Sequence, residues 1–369
     1  SVKSDSVANT LADLQTTGVG ATKLVTTGAK QLTISTALDS EIVTIDASGM
    51  TGLSGLALGA APATAVGITA TGSGGKDTIY GSAGKDNISS GGGNDTINLG
   101  TLAVTDTVDG GDGTDTVVAT ATVSNDSVFG GLSNVEVLSL SGAINATLTA
   151  TTGTFDTVKD DGSNDNTITI DTSYGASAIT VDITGDANSG DTITNSSAAT
   201  LTVIAGTADL KGDDTTTITA SATNLGDTLS LQPDGDGEIG VNGTGNLITG
   251  FDKIVFNDAA TGNTATTLDL GDYATALTID ASALDATDAT INIGGANVSK
   301  SMTYTGSAGV DNFTGGGTVG DNISTGAGND IIAGTAGNNT IDAGAGVDTI
   351  SLGTGKDHVS AGAGNDIIT

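Results

Sequence analysis

From Gly306 to Thr369 the chain reads GSAGVDNFT, GGGTVGDNIS, TGAGNDIIA, GTAGNNTID, AGAGVDTIS, LGTGKDHVS and AGAGNDIIT, seven consecutive units of which one is a residue longer than the rest. The shared pattern is Gly-Gly-x-Gly-x-Asp-x-U-x, with U a large aliphatic residue. A period this short makes each unit one turn and one strand, which cannot bury a core alone and is stable only when stacked on its neighbours. The Gly-rich first six residues suit a tight turn, because Gly tolerates positive φ and lets backbone carbonyls face inward. The last three suit a short strand with its aliphatic residue pointing inside. Two units make one coil of 18 residues, so turns stack on every second unit, at about the 4.8 Å spacing of paired strands.

The pattern also occurs earlier. Gly72 to Tyr80 reads GSGGKDTIY, Gly81 to Ser89 reads GSAGKDNIS, and Ser90 to Asn98 reads SGGGNDTIN. After two extra residues comes a degenerate unit with Asp106 and Val108 in phase, and then GGDGTDTVV from Gly110. The interior ladders expected from this register are Ile79, Ile88, Ile97, Val108 and Val117 in the first block. In the second they are Phe313, Ile323, Ile332, Ile341, Ile350, Val359 and Ile368. Stacking by alternate units puts Asp311, Asp330, Asp348 and Asp366 on one flank of the second block. Asp321, Asn339 and Asp357 fall on the other, where Asn339 removes one charge midway.

Asp oxygens and backbone carbonyls from two stacked turns can enclose one ion in about six oxygen ligands, which is calcium coordination. The candidate ligands are Asp77, Asp86, Asp95, Asp106, Asp115, Asp311, Asp321, Asp330, Asp348, Asp357 and Asp366. With them go the turn glycines Gly72, Gly74, Gly81, Gly91, Gly110, Gly315, Gly326, Gly344 and Gly362. Several Ca2+ ions are expected as the cofactor. Zinc or copper would call for Cys or His, and the chain has no Cys and one His, His358. Polar loops alone need no Asp in fixed register over seven units. Without metal, rows of carboxylates would stand close together, each raising its neighbours' pKa.

Composition agrees. The net charge is −33, and of 43 acidic residues only Glu41, Glu136 and Glu238 are Glu. Asp, unlike Glu, is short enough to fit turns and ligate metal there. Such charge opposes a compact state unless cations neutralise it, and it excludes nucleic acid or an anionic membrane as a default partner. Aromatic residues make up 2% of the 369 residues, too few for a large ordinary core. No apolar run reaches transmembrane length. The chain opens on Ser1 without Met and stops on a repeat at Thr369, which reads as a processed piece or an ordered fragment with any targeting or anchoring segment outside it.

The sequence divides into a β-rich segment at 1–71, a repeat block at 72–118, a Thr-, Asn- and Asp-rich segment at 119–305 and a second block at 306–369. The third segment alternates Thr or Ser with Val, Ile or Leu, as at Thr167-Ile168-Thr169-Ile170 and Leu201-Thr202-Val203-Ile204. It is expected to continue the solenoid, with a β-sandwich as the alternative. Echoes of the short repeat persist at Gly190-Asp191-Thr192-Ile193 and Gly226-Asp227-Thr228-Leu229. Ala8 to Gln15 is expected to form one short helix. Ile45-Asp46-Ala47-Ser48 recurs as Ile279-Asp280-Ala281-Ser282, and Gly72-Ser73 as Gly306-Ser307, both at an offset of 234 residues. The chain thus reads as slightly more than one period of a tandem module.

No catalytic constellation is legible. Gly235 to Gly240 fits a dinucleotide-binding glycine pattern, but no helix-forming stretch follows it. Asp234 to Gly245 has Ile239 and Gly245 where an EF-hand loop requires Gly and Glu. With one His and no Cys, a Ser-His-Asp triad outside the repeats, a Cys nucleophile and a two-His zinc site are unavailable. The protein is read as a non-enzyme.

The two blocks resemble the RTX family of calcium-binding repeat proteins. Among those, the chain is most similar to bacterial surface-layer (S-layer) proteins exported by type I secretion. The likeness rests on GGDGTDTVV followed by Phe129-Gly130-Gly131-Leu132-Ser133-Asn134-Val135-Glu136-Val137-Leu138, and on IDAS segments leading into repeats. The resemblance implies an all-β, elongated, right-handed parallel β-roll or β-solenoid loaded with calcium, secreted to the bacterial cell surface. It implies a structural subunit of a self-assembling, calcium-dependent surface layer or filament, with a stalk or ligand-binding segment of a large RTX adhesin as the alternative. The expected partners are copies of the chain itself and, through parts outside it, a cell-surface polysaccharide.

Overall fold

The computed structural model of the protein describes residues 1–5, 7–11, 22–62, 66–120, 126–142, 144–149, 155–162, 165–185, 190–206, 210, 215–221, 226–232, 237–240, 247–257, 266–270, 276–285, 291–294, 300–334 and 336–369. The chain forms two compact units, Ser1–Ile179 and Thr180–Thr369. Each is a parallel β-solenoid, in which every second strand pairs because each coil gives one strand to each of two walls.

In the first unit one wall holds Val2–Lys3, Lys23–Gly28, Thr44–Met50, Thr69–Ser73, Asn87–Gly91, Thr107–Asp109 and Leu132–Ser133, each parallel to the next. The other runs from Asn9–Leu11 through Leu32–Ile34, Ser54–Leu58, Lys76–Tyr80, Thr96–Gly100, Thr116–Ala119 and Val137–Leu140 to Thr157–Asp160. Asn145–Leu148 and Thr167–Ile170 pair in the same sense. Asn9–Leu11 corrects the expected helix at Ala8 to Gln15. Pairing with Leu32–Ile34 outweighs a weak local helical preference, and residues 12–15 lie outside the described set.

In the second unit one wall runs from Thr200–Gly206 through Thr228–Gln232, Lys253–Phe256, Leu277–Asp280, Met302–Thr305, Asn322–Ser324 and Thr340–Asp342 to His358–Ser360. The facing wall holds Gly237–Gly240, Thr266–Asp269, Ile291–Gly294, Asp311–Thr314, Ile331–Ala333, Thr349–Ser351 and Ile367–Ile368. Thr192–Asn195, Thr217–Thr219 and Leu247–Thr249 form a further parallel row. The described strands of 119–305 therefore continue the solenoid, and the sandwich alternative does not apply to them. The coils there are longer. Register advances by 25 or 26 residues from Val203 to Leu229, Ile254, Ile279 and Tyr304, against 18 from Ile323 to Ile341 and Val359. The extra residues lie in the connections and leave the ladder intact.

The core is a set of single-residue ladders. Ile79, Ile97, Val117, Leu138 and Val158 stack in register and are completely buried. Phe313, Ile332 and Ile350 do the same in the second unit. Each such side chain contributes about 1.5–3 kcal/mol. The expected interior ladder weakens only at Val359, which is half-buried, and Ile368, which is exposed. Among the described residues a 3-10 turn spans Asp126–Gly131, and none of their helices is long and apolar enough to cross a membrane.

Candidate metal centre

All but one of the nonapeptides, the exception being that with Asn339, place an Asp at or next to the start of the strand, and the parallel register brings these residues into columns. In the second block the Asp311 N–H donates to Asp330 Oδ1 at 2.9 Å, the Asp330 N–H to Asp348 Oδ1 at 2.9 Å, and the Asp348 N–H to Asp366 Oδ1 at 3.1 Å. On the other flank Asp321 N–H donates to Asn339 Oδ1 at 3.0 Å, and Asn339 N–H to Asp357 Oδ1 at 2.9 Å. The first block repeats this. Asp77 N–H donates to Asp95 Oδ1 and Asp95 N–H to Asp115 Oδ1, both at 2.8 Å, and Asp86 N–H donates to Asp106 Oδ1 at 2.9 Å. The two flanks are composed as the 18-residue coil requires.

One oxygen of each accepting carboxylate is thereby used as a rung; Asp106 Oδ2 also has a partner, Ala103 N–H at 2.8 Å, but in several others the second oxygen is left over. Oδ2 of Asp95, Asp115, Asp321, Asp330 and Asp348 is buried without a hydrogen-bond partner. No lysine pairs with these five among the described residues. Burial without a counter-charge pushes Asp95 up to about 6 and raises Asp115, Asp321 and Asp330. Loss of water is the larger cause at each. The charge of the next carboxylate in the column adds less, as with Asp77 and Asp115 beside Asp95. Neighbouring carboxylates, expected from the sequence to raise one another's pKa, thus contribute less than burial does. A buried carboxylate left in this state costs several kcal/mol, so the columns call for cations.

The turns supply further oxygens. Gly344 has φ +89°, and a Cβ there would fall 1.9 Å from the carbonyl oxygen of Gly326, one coil earlier. Gly91, Gly326 and Gly362, at the same place in their units, also have positive φ. Gly72, Gly81, Gly110 and Gly315 serve otherwise: a Cβ on each would press within 2.9 Å of Oδ2 of the Asp in its own unit. Gly74 meets nothing within 4 Å, so space does not demand glycine there. Among the described residues no three His, Cys, Asp or Glu side chains cluster. Any ion must therefore be held by carboxylate oxygens together with carbonyls, a hard, oxygen-only set that suits calcium.

Asp357 and Asp366, in the last coil, are half-buried, whereas the other nine candidate Asp residues are at most 2% exposed. Asn339 takes the Asp position yet leaves no open oxygen. Its Oδ1 is the rung, and its Nδ2 donates to Asp357 Oδ1 at 3.0 Å. Asp227, quoted in the sequence only as an echo of the repeat, belongs to the set. It is fully buried, its Oδ1 accepts from Leu201 N–H at 2.7 Å, and its Oδ2 has no partner. Glu136 also extends a column, accepting from Asp115 N–H at 2.8 Å through Oε2. It occupies the Asp position immediately before its strand, a register visible only once strands are paired.

The RTX calcium-binding nonapeptide repeat family matches this chain at residues 69–101, 105–121, 315–350, 324–358 and 343–369. The chain carries RTX calcium-binding repeats. RTX repeats of this kind bind Ca2+, and several are present here. No curated protein and no solved structure matches the chain. Proteins with RTX repeats are typically secreted.

Proposed function

We propose that this chain is a calcium-folded structural subunit that packs with copies of itself into a layer or filament on a bacterial surface. The observation that carries the reading is the row of buried, partnerless Oδ2 atoms at Asp95, Asp115, Asp321, Asp330 and Asp348. A chain of charge −33 builds these carboxylates into its walls, so calcium at the millimolar levels found outside cells decides whether the walls form. When bound at the repeats, calcium would supply charge neutralisation, held by the open Asp oxygens together with turn carbonyls, above ladders that exclude water.

The role is structural, not enzymatic. The single histidine, His358, is exposed on a strand of the last coil. The tandem organisation supports repetition of one mechanical part. Lys23 pairs with Asp46 at 3.0 Å and Lys253 with Asp280 at 3.1 Å. Ser48 and Ser282 each donate a hydroxyl to the Oδ1 of that Asp at 2.6 Å. With few aromatic residues to form one greasy interface, contacts between copies consist of backbone, Thr, Asn and Asp groups, individually weak and ordered by number.

Electron microscopy of the purified chain in millimolar calcium, in chelator, and in chelator with high sodium chloride tests this. Ordered sheets or fibres only in calcium are expected. Dispersed single particles in all three would overturn the lattice reading and favour an adhesin stalk.

A further inference from the structure

Within the repeat blocks the buried carboxylates differ in how Oδ2 is satisfied, and outside the irregular Asp106 unit, where Oδ2 accepts from Ala103 N–H at 2.8 Å, the second residue of the unit separates them. Units with Gly at that place include those ending in Asp95, Asp115, Asp321, Asp330 and Asp348, and in all five Oδ2 is buried without a partner. Three units have Ser there instead, Ser73, Ser82 and Ser307. In these the serine is turned onto the Asp four residues later. Asp77 Oδ2 accepts from Ser73 N–H at 2.7 Å and from its hydroxyl at 2.9 Å, while Oδ1 accepts from Leu56 N–H. Asp86 Oδ2 accepts from Ser82 N–H at 2.8 Å, and its Oδ1 accepts the Ser82 hydroxyl at 2.7 Å and Ile68 N–H at 2.8 Å. Asp311 Oδ2 accepts from Ser307 N–H at 3.0 Å and its hydroxyl at 3.2 Å, and its Oδ1 accepts the Tyr304 hydroxyl at 2.6 Å.

Backbone conformation differs too, although Gly316, second in the Asp321 unit, lacks the positive φ found in the other four open units. Gly91, Gly111, Gly326, Gly344 and Gly362, each second in its unit, have φ between +88° and +102°. Among the described residues the one non-glycine with positive φ is Asn134, so the three serines turn the chain differently. Position in the column is not the cause. Asp77, Asp86 and Asp311 each follow an apolar residue in the preceding coil, Leu56, Ile68 and Ile291. Asp321 does too, following Met302, yet its unit lacks the serine and its Oδ2 is open.

Resting on the calcium reading above, we propose that Ser73, Ser82 and Ser307 close the calcium columns, so that Asp77, Asp86 and Asp311 take no ion. Three hydrogen bonds to each carboxylate occupy the oxygens that calcium would take further along. The columns headed by Asp77, Asp86 and Asp311 then begin with a metal-free rung after an apolar coil, whereas the column headed by Asp321 does not.

The test is the calcium count of the full chain by native mass spectrometry, with a crystal structure in calcium. Ser307→Gly and the pair Ser73→Gly with Ser82→Gly remove the hydroxyl donors and free the backbone to take the positive φ that carries its N–H away from the Asp. They are expected to bind one and two more ions than wild type, whereas Ser307→Thr, which keeps the hydroxyl, binds the same number. The wild-type crystal should show ions at Asp95, Asp330 and Asp348 and none at Asp77, Asp86 or Asp311. An unchanged count in folded glycine variants, or a wild-type ion bonded to any of those three Asp residues, would overturn the proposal while leaving the calcium reading intact. A wild type that binds no calcium would overturn both. If a glycine variant fails to fold, the wild-type crystal decides.

Discussion

Asp330 donates its backbone N–H to Asp348 Oδ1 at 2.9 Å, 18 residues further along the chain, while Asp348 Oδ2 is buried with nothing to bond. One side chain thus has two separable duties: Oδ1 holds the next coil in register, and Oδ2 waits for a cation.

Asp348→Asn separates them. The amide keeps an oxygen for the Asp330 rung and removes the buried charge, as Asn339 does in the other column. In chelator this variant should be more folded than wild type, and in calcium less stable, with at least one ion fewer. Asp348→Ala loses both duties. Hydrogen–deuterium exchange in calcium should then show protection falling about tenfold or more, or ~1.4 kcal/mol, around Asp330 and Asp366, and less around Asp357. Equal loss on both flanks would contradict the column assignment.

Asn339→Asp is the converse. It replaces Nδ2, which now bonds Asp357 Oδ1 at 3.0 Å, with a second carboxylate oxygen. Calorimetric titration should find additional calcium uptake, and the metal-free variant should be less folded than the wild type. Unchanged stoichiometry would show that the Asp position alone does not make a site.

Much of this was legible in sequence because a nine-residue period fixes register: once coils of 18 are assumed, the partners of Asp330 and Ile341 follow by counting. Between the blocks counting fails. Coils there advance by 25 or 26 residues, and the surplus sits in connections whose length carries no signal. Asp227 and Glu136 therefore entered the columns only through strand pairing. The serine–aspartate contacts were invisible for another reason. Ser and Gly are both ordinary turn residues, and only side-chain geometry shows the hydroxyl turned inward. The misread helix near Ala8 came from weighing local preference over pairing with Leu32–Ile34.

Two glycine substitutions should differ sharply. Gly344→Ala forces a side chain into φ +89° and against the Gly326 carbonyl. It should cost at least about 1–2 kcal/mol, read as a lower Tm in calcium. Gly74→Ala has open space and should leave Tm nearly unchanged. Equal effects would mean that the turns relax more than their stacking suggests.

Acid should partly replace calcium. Burial pushes Asp95 and Asp311 up to about 6, above the usual carboxylate value of about 3.9 in an unfolded chain. Between those values the folded state holds protons that the unfolded state releases, so the metal-free fold gains stability as pH falls through 6 toward 4 and loses it as pH rises. Metal-free protein should show more strand signal at pH 5 than at pH 7, while half-saturation should need more calcium at pH 5. A metal-free strand signal that declines on acidification would contradict the burial of these groups.

The most direct measurement is far-ultraviolet circular dichroism of the full chain at pH 7 in chelator, followed by addition of millimolar calcium. Buried carboxylates without counter-charges in a chain of charge −33 predict that much of the strand signal is absent in chelator. Calcium should restore it, and sodium chloride of equal ionic strength should not. A spectrum with full strand content in chelator, unchanged by calcium, would contradict the account.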